Sequence, residues 1–226
     1  MIDFVVKIQE PKLVVSQVAD GLRKLITSGR LKPGEKLKEL EISRSFGVSR
    51  SPVREAFRIL ELEGLMDLIP RKGAYIHKIT NEDVREIYQI REMVEGFAGH
   101  LATENMTDED IAEVEQLWLK MKSLTGSGDF ENYLSASADF HNKIIICAQN
   151  KRLVEIYHGI RATVKFLRSY ILSSGKRMDA SLSEHQQIVQ AIKGRDKDLV
   201  EKISRAHVRK GRENFMSLIA HQGNMP

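Results

Sequence analysis

Residues 39–65 read ELEISRSFGVSRSPVREAFRILELEGL, and their spacing decides how the front of the chain folds. Ile42 and Phe46 lie four apart, on one side of a helix running from about Glu39 to Phe46, and Gly47 is a natural stop behind them. Val48 plugs the turn. A second helix opens near Ser51-Pro52, a polar cap followed by a residue whose missing N–H does no harm in a first turn. Val53, Ala56, Phe57 and Leu60, with Leu65 beyond them, form its apolar stripe. Helix, short glycine turn, helix is the spacing of a helix-turn-helix.

The other side of that second helix carries charge. Arg50, Arg54 and Arg58 recur every four residues and share an edge. Arg50 and Ser51 stand at the leading end, which enters the major groove in this motif. A guanidinium there can pair with guanine O6 and N7 or grip phosphate, and the helix N-terminus itself attracts anions. The alternative is a solvated basic face, with Arg54 paired to Glu55 and Arg58 to Glu61. The turn spacing ahead of the helix favours double-stranded DNA as the partner.

Working outward, PKLVVSQVADGLRKLITSG from Pro11 repeats apolar residues at helical spacing (Val14, Val18, Leu22, Leu25, Ile26), and Pro33-Gly34 breaks the chain before Glu39. After Gly64, LMDLIPRKGAYIHKI alternates as two short strands around Pro70–Gly73. A hairpin with Arg71 and Lys72 at its tip, directly behind a helix-turn-helix, is a wing. From Pro11 to Ile79 there are 14 Lys and Arg against 8 Asp and Glu, a balance of +6, whereas Thr80 to Pro226 holds 20 against 21, or −1. A basic head on a neutral body suits a polyanion-binding module joined to something else.

The expected architecture is mainly α: an N-terminal segment at 1–10, a winged helix-turn-helix at 11–79, an all-α domain at 80–220 and a tail at 221–226. Thr80 or Asn81 caps the first helix of the second domain, and six helices are expected at about 81–103, 107–124, 129–148, 151–174, 179–193 and 196–220, with a break at Ser173–Gly175. A single cysteine, Cys147, rules out an internal disulfide framework and reads as core. No apolar run is long enough for a spanning helix, and the first residues lack a signal-peptide pattern, so a cytoplasmic protein without a membrane partner is expected.

Three histidines, His141, His185 and His207, fall in three different helices of the second domain, each beside apolar residues. Converging imidazoles could bind zinc, nickel or another borderline divalent metal. Lone histidines on apolar faces are more often hydrogen-bonded core residues, so spacing alone leaves both readings open.

The segments LKPGEKLKE, GVSRSPVREAFRILELEGL and PRKGAYI together resemble the GntR family of bacterial repressors and activators. The resemblance implies operator contacts from Arg50 and Arg54 and from the wing around Gly73. Leu40 stands where that family commonly has a DNA-contacting arginine, so Lys38 or Arg44 substitutes or the operator preference differs. IYQIREMVEGFAGHLA, DFHNKIIICAQN and EHQQIVQAIKGRD resemble the FCD effector domain of the FadR branch, in its six-helix VanR-like group. That resemblance implies a metal held by His141, His185 and His207, a small organic acid seated on it, and Arg91 facing the effector. The acid usually found one turn before the first histidine is Ser137 here. Asp139, two residues before His141, points about 200° away around the helix. Tyr88, His100, Tyr133, Arg161 and Arg168 are secondary pocket candidates.

The implied function is a metabolite-responsive regulator that binds a palindromic operator as a homodimer. A metal-only sensor is one rival. A metal-dependent hydrolase built on the three histidines is the other, but the chain has no HExxH motif and no evident general base beside them, and an enzyme is not expected.

Overall fold

The computed structural model describes residues 11–127, 129–172 and 178–222. The expected segment 1–10, the break at Ser173–Gly175 and the tail from residue 223 lie outside the described residues. The chain divides into two compact units, 1–78 and 79–226.

In the first unit, α1 (Pro11–Thr27) lays Val18, Leu22 and Ile26 against α3 (Arg50–Leu62), which contributes Val53, Ala56, Phe57 and Leu60. Arg23 fastens the pair, with Nε and Nη2 donating to the two carboxylate oxygens of Glu63 at 2.7 and 2.6 Å. Between them runs α2 (Glu39–Phe46), ended by Gly47 at φ 65°, where its N–H reaches back to the carbonyls of Arg44 and Ser43. The start of α3 corrects the sequence reading. The helix opens at Arg50, with Ser49 in the extended cap position and no side-chain cap bond. Ser51 and Pro52 are therefore inside the first turn, where proline's absent N–H would have had no helical partner.

The wing is β2 (Met66–Ile69) and β3 (Gly73–Ile76), antiparallel, with Met66 opposite Ile76 and Ile69 opposite Gly73. A third strand, β1 (Lys36–Leu37), completes the sheet in the order β1-β3-β2. Two residues are too short for periodicity to reveal, so the sequence showed only a turn there. Gly73 at φ 109° and Arg71 at φ 64° make the tight tip.

The second unit holds six described helices: α4 (Asn81–Asn105), α5 (Asp108–Leu124), α6 (Phe130–Cys147), α7 (Lys151–Leu172), α8 (Met178–Lys193) and α9 (Lys197–Gln222). Capping boxes fix two starts, Thr80 with Asp83 and Thr107 with Asp110. Long α4 packs along α9 and against α6, while α8 packs on both α5 and α9. Val94, Ala98, Tyr133, Phe140, Ile144, Ile188 and Val200 are among the buried residues between them. Among the described residues no helix is long and apolar enough to cross a membrane.

Phe57 is 2% exposed at the α1–α3 contact. Phe57→Ala should cost about 3–5 kcal/mol, read as a lower denaturation midpoint of the N-terminal unit. A loss under about 1 kcal/mol would mean that this contact is not the unit's core.

Candidate nucleic-acid interface and candidate metal centre

On the first unit, Arg50, Ser51, Arg54 and Arg58 are all exposed on α3. The Arg54–Glu55 and Arg58–Glu61 pairs of the alternative, solvated-face reading are not the ones formed. Arg58 Nη1 donates to Glu55 Oε1 at 2.8 Å. Arg54 Nε donates to Glu39 Oε2 at 2.8 Å, and Arg50 Nη2 donates to that same oxygen at 2.9 Å. Glu39 thus joins the first turn of α2 to the arginine edge of α3. Burial pushes the Glu39 carboxyl up, but the bonds from Arg50 and Arg54 outweigh it and hold the pKa below the ordinary value. Sequence reasoning missed this residue because its partners lie 11 and 15 positions away.

Lys38, at the α2 cap, is exposed and donates to Glu41 at 2.7 Å. Arg44 is exposed at the end of α2, and Leu40 is an exposed leucine on its first turn. Arg71, Lys72 and Gly73 are exposed at the wing tip. Tyr75 Oη donates to the Lys72 carbonyl at 3.3 Å, which steadies that tip.

In the second unit, His141 from α6, His185 from α8 and His207 from α9 come together in the interior, with one ring nitrogen from each within 4.8 Å of the others. The Nε2 atoms of His141 and His185 are 3.1 Å apart. Phe140 stands edge-on to both of those rings. Behind the cluster are two carboxylates that the sequence reading did not find. Glu95 Oε2 lies 3.0 Å from His141 Nδ1, and Glu184 Oε2 lies 2.7 Å from His207 Nδ1. Ser181 Oγ is 3.5 Å from His185 Nδ1, one turn earlier on the same helix. A carboxylate at Nδ1 fixes a histidine's tautomer and turns Nε2 into the ligating atom, the usual support of a metal-bound imidazole. Two Nε2 atoms 3.1 Å apart can both lie at the ~2.0–2.1 Å typical of a metal–imidazole bond, so the donor set fits a borderline divalent ion.

The cavity between Glu95, His141, Ile144, Ile145, Ile188, Ser204 and His207 leaves about 10 Å³ for the centre of a water-sized body. That is room for one small occupant. Ser137 is buried one turn before His141 but is not among the described lining residues. Asp139 is outside the histidine group.

Arg91 is buried on α4 and donates from Nε to Glu95 Oε1 at 2.8 Å, with its guanidinium 4.7 Å from the Tyr88 ring centre. Burial disfavours its charge, but Glu95 overrides that and raises the pKa. The four-residue spacing to Glu95 could have meant a surface pair; here both members are interior. Tyr88 is buried with them. Tyr133 Oη donates to the Met178 carbonyl, His100 faces Asp198 at 3.3 Å, Arg161 is exposed, and the Arg168 side chain lies outside the described residues. Burial pushes the Cys147 thiol up to about 11, so it carries little thiolate near neutral pH.

Removing one member of a buried ion pair strands the other. Arg91→Ala should cost about 3–5 kcal/mol of stability, and adding Glu95→Gln should restore part of it. Chemical denaturation of the two variants checks this; a single-variant loss below about 1 kcal/mol would mean that the pair behaves like an exposed one.

Two family descriptions match the chain: "Bacterial regulatory proteins, gntR family" over residues 14–76 and "FCD domain" over residues 86–210. The chain is similar to the HTH-type transcriptional regulator YdhC of Bacillus subtilis, at 31% identity over 89% of this chain and 90% of that protein. It is also similar to the gluconate operon transcriptional repressor of Bacillus licheniformis, at 27% identity over 82% of this chain and 78% of that one. Among solved structures, E. coli McbR/YncC aligns with a TM-score of 0.76 at 23% identity, covering 93% of this chain and 99% of the other.

Proposed function

This chain belongs to the GntR family of bacterial regulatory proteins, with an FCD domain behind its DNA-binding head, and from that premise we propose that it is a metabolite-responsive repressor gripping a palindromic operator as a homodimer. It is a transcription regulator and not an enzyme, which sets the hydrolase reading aside. The head is residues 11–79, and residues 80–220 bind the effector and pair the two copies. Repression is supported by relatives named as repressors. Placement in the FadR branch and its VanR-like group, and a cytoplasmic location, follow the same resemblance.

In this reading Arg50, Ser51, Arg54 and Arg58 face the major groove, Lys38 and Arg44 contribute from α2, and Arg71, Lys72 and Gly73 reach the neighbouring backbone. Pairing of two copies is supported by exposed apolar residues at helical spacing on α4, Ile90, Met93 and Phe97, and by Ile156 on α7, the helix packed against it. Lone apolar residues on a surface need no partner, but a stripe does.

The observation that carries the sensing half is the carboxylate behind each of two buried histidines. His141, His185 and His207 would hold a divalent metal, zinc or nickel in preference to manganese because Ser137 replaces a hard anionic ligand. The metal would supply a Lewis-acidic positive centre for the carboxylate of a small organic acid. Arg91 would support that effector through Glu95, to which it is bonded. The small cavity favours a second reading, a sensor of metal alone.

Arg50→Ala or Arg54→Ala should relax preference at one base pair by about 1–3 kcal/mol where the arginine replaced pairs bidentately with guanine, whereas Lys72→Ala should weaken all duplexes alike and flatten the salt dependence. Gel-shift titrations at several salt concentrations separate the two patterns. If all three variants lose only non-specific affinity, the groove assignment is wrong.

Added Zn²⁺ or Ni²⁺ should raise the melting temperature of metal-stripped protein, by an amount corresponding to about 2.7 kcal/mol at one hundred times Kd. His141→Ala, His185→Ala and His207→Ala should each remove most of that rise, Asp139→Ala should leave it, and Ser137→Asp should tighten metal binding. Thermal shifts with elemental analysis check this. Indifference to Zn²⁺, Ni²⁺ and Mn²⁺ would end the metal reading. A metal response without any change in operator affinity on adding organic acids would favour the metal-only sensor.

A further inference from the structure

Arg50 and Arg54 occupy equivalent places on the same helical edge, yet Glu39 binds them differently. Arg54 offers only Nε to Glu39 Oε2, and among the described residues its two Nη groups carry no hydrogen bond. Those two groups form the fork that meets guanine O6 and N7. Arg50 turns side-on, giving Nη2 at 2.9 Å and Nε at 3.3 Å to the same oxygen, so one face of its fork is taken. Glu39 is only partly exposed and is anchored by the backbone of α2, the helix in front of the reading helix.

We infer that Glu39 is a specificity-determining positioning residue: it braces Arg54 as the guanine reader and assigns Arg50 to a single-bond or phosphate contact. This rests on the proposal that α3 enters the major groove. The physical reason is pre-organisation. An unbraced arginine explores many rotamers and can serve phosphate as readily as a base. A carboxylate at Nε fixes the guanidinium plane and leaves the far edge presented. Glu39 also places a negative charge near DNA phosphates, where it opposes non-specific binding. Its removal therefore has two effects of opposite sign: weaker discrimination and stronger indiscriminate affinity. A residue that only stabilised the fold would produce neither signature.

The test uses full-length protein and the duplex that wild type enriches from a randomised library, remade with 7-deazaguanine at each guanine in turn. That base lacks the N7 acceptor. Wild type should lose about tenfold or more at one guanine per half-site, within the range expected for a bidentate contact. Arg54→Ala should abolish that sensitivity and Arg50→Ala should retain it. Glu39→Gln, matched in size, should blunt it several-fold while binding random-sequence DNA more tightly than wild type. Glu39→Ala should blunt it further. If Glu39→Gln tightens every duplex equally and keeps full guanine sensitivity, the carboxylate is only a repelling charge and the inference fails. If Arg50→Ala rather than Arg54→Ala abolishes the sensitivity, the assignment of roles fails while groove reading stands. If neither variant alters it, groove reading by this edge fails as well.

Discussion

A buried imidazole needs polar partners for its ring nitrogens, and in the body of this protein a polar side chain stands at Nδ1 of all three, a carboxylate for His141 and His207 and the Ser181 hydroxyl for His185. One nitrogen of His141 is met by Glu95 and one of His207 by Glu184, each from a neighbouring helix. A carboxylate buried for this purpose needs its own counter-charge. Arg91 supplies it for Glu95, while Lys210, 3.4 Å away on α9, faces Glu184. The sequence of partners runs from α4 through α6, α8 and α9, so four of the six described helices are registered by one polar chain inside an apolar core. Apolar packing alone would tolerate small rotations of these helices; directional hydrogen bonds do not.

The same logic appears at the surface of the head, on a smaller scale. Glu39 gathers two arginines that would otherwise repel each other across one helical turn. In both units an acidic residue on one helix sets the orientation of a nitrogen-rich side chain on another.

This explains what could be read from the chain. The head was legible because its signals are local: glycine at a left-handed stop, a four-residue arginine edge, alternation on both sides of a tight turn. The six helices of the body were legible from periodicity and caps, to within a few residues at each end. The three histidines could be named from spacing and resemblance. Glu95 and Glu184 could not. An acid four residues after an arginine looks like a surface pair until its burial is known, and an acid beside a histidine in sequence, as Glu184 is beside His185, gives no sign that it serves His207 instead. The Ser51 cap was misplaced for a related reason: proline is acceptable throughout the first helical turn, so it marks the turn and not the residue.

The contact between α4 and α9 has one further consequence. A methyl group at Gly96 would fall 2.5 Å from Arg205 Cγ, and one at Gly99 would fall 2.8 Å from Val200 Cγ1. Side chains of α9 thus occupy the notches that missing side chains leave on α4. Arg205 is held in its notch by Glu201 and by the Glu92 carbonyl, and Val200 is stiff at its branched carbon. Helices meshed in this way cannot slide or roll separately without teeth colliding. Under load they behave as one doubled rod, stiffer against bending and torsion than either helix alone.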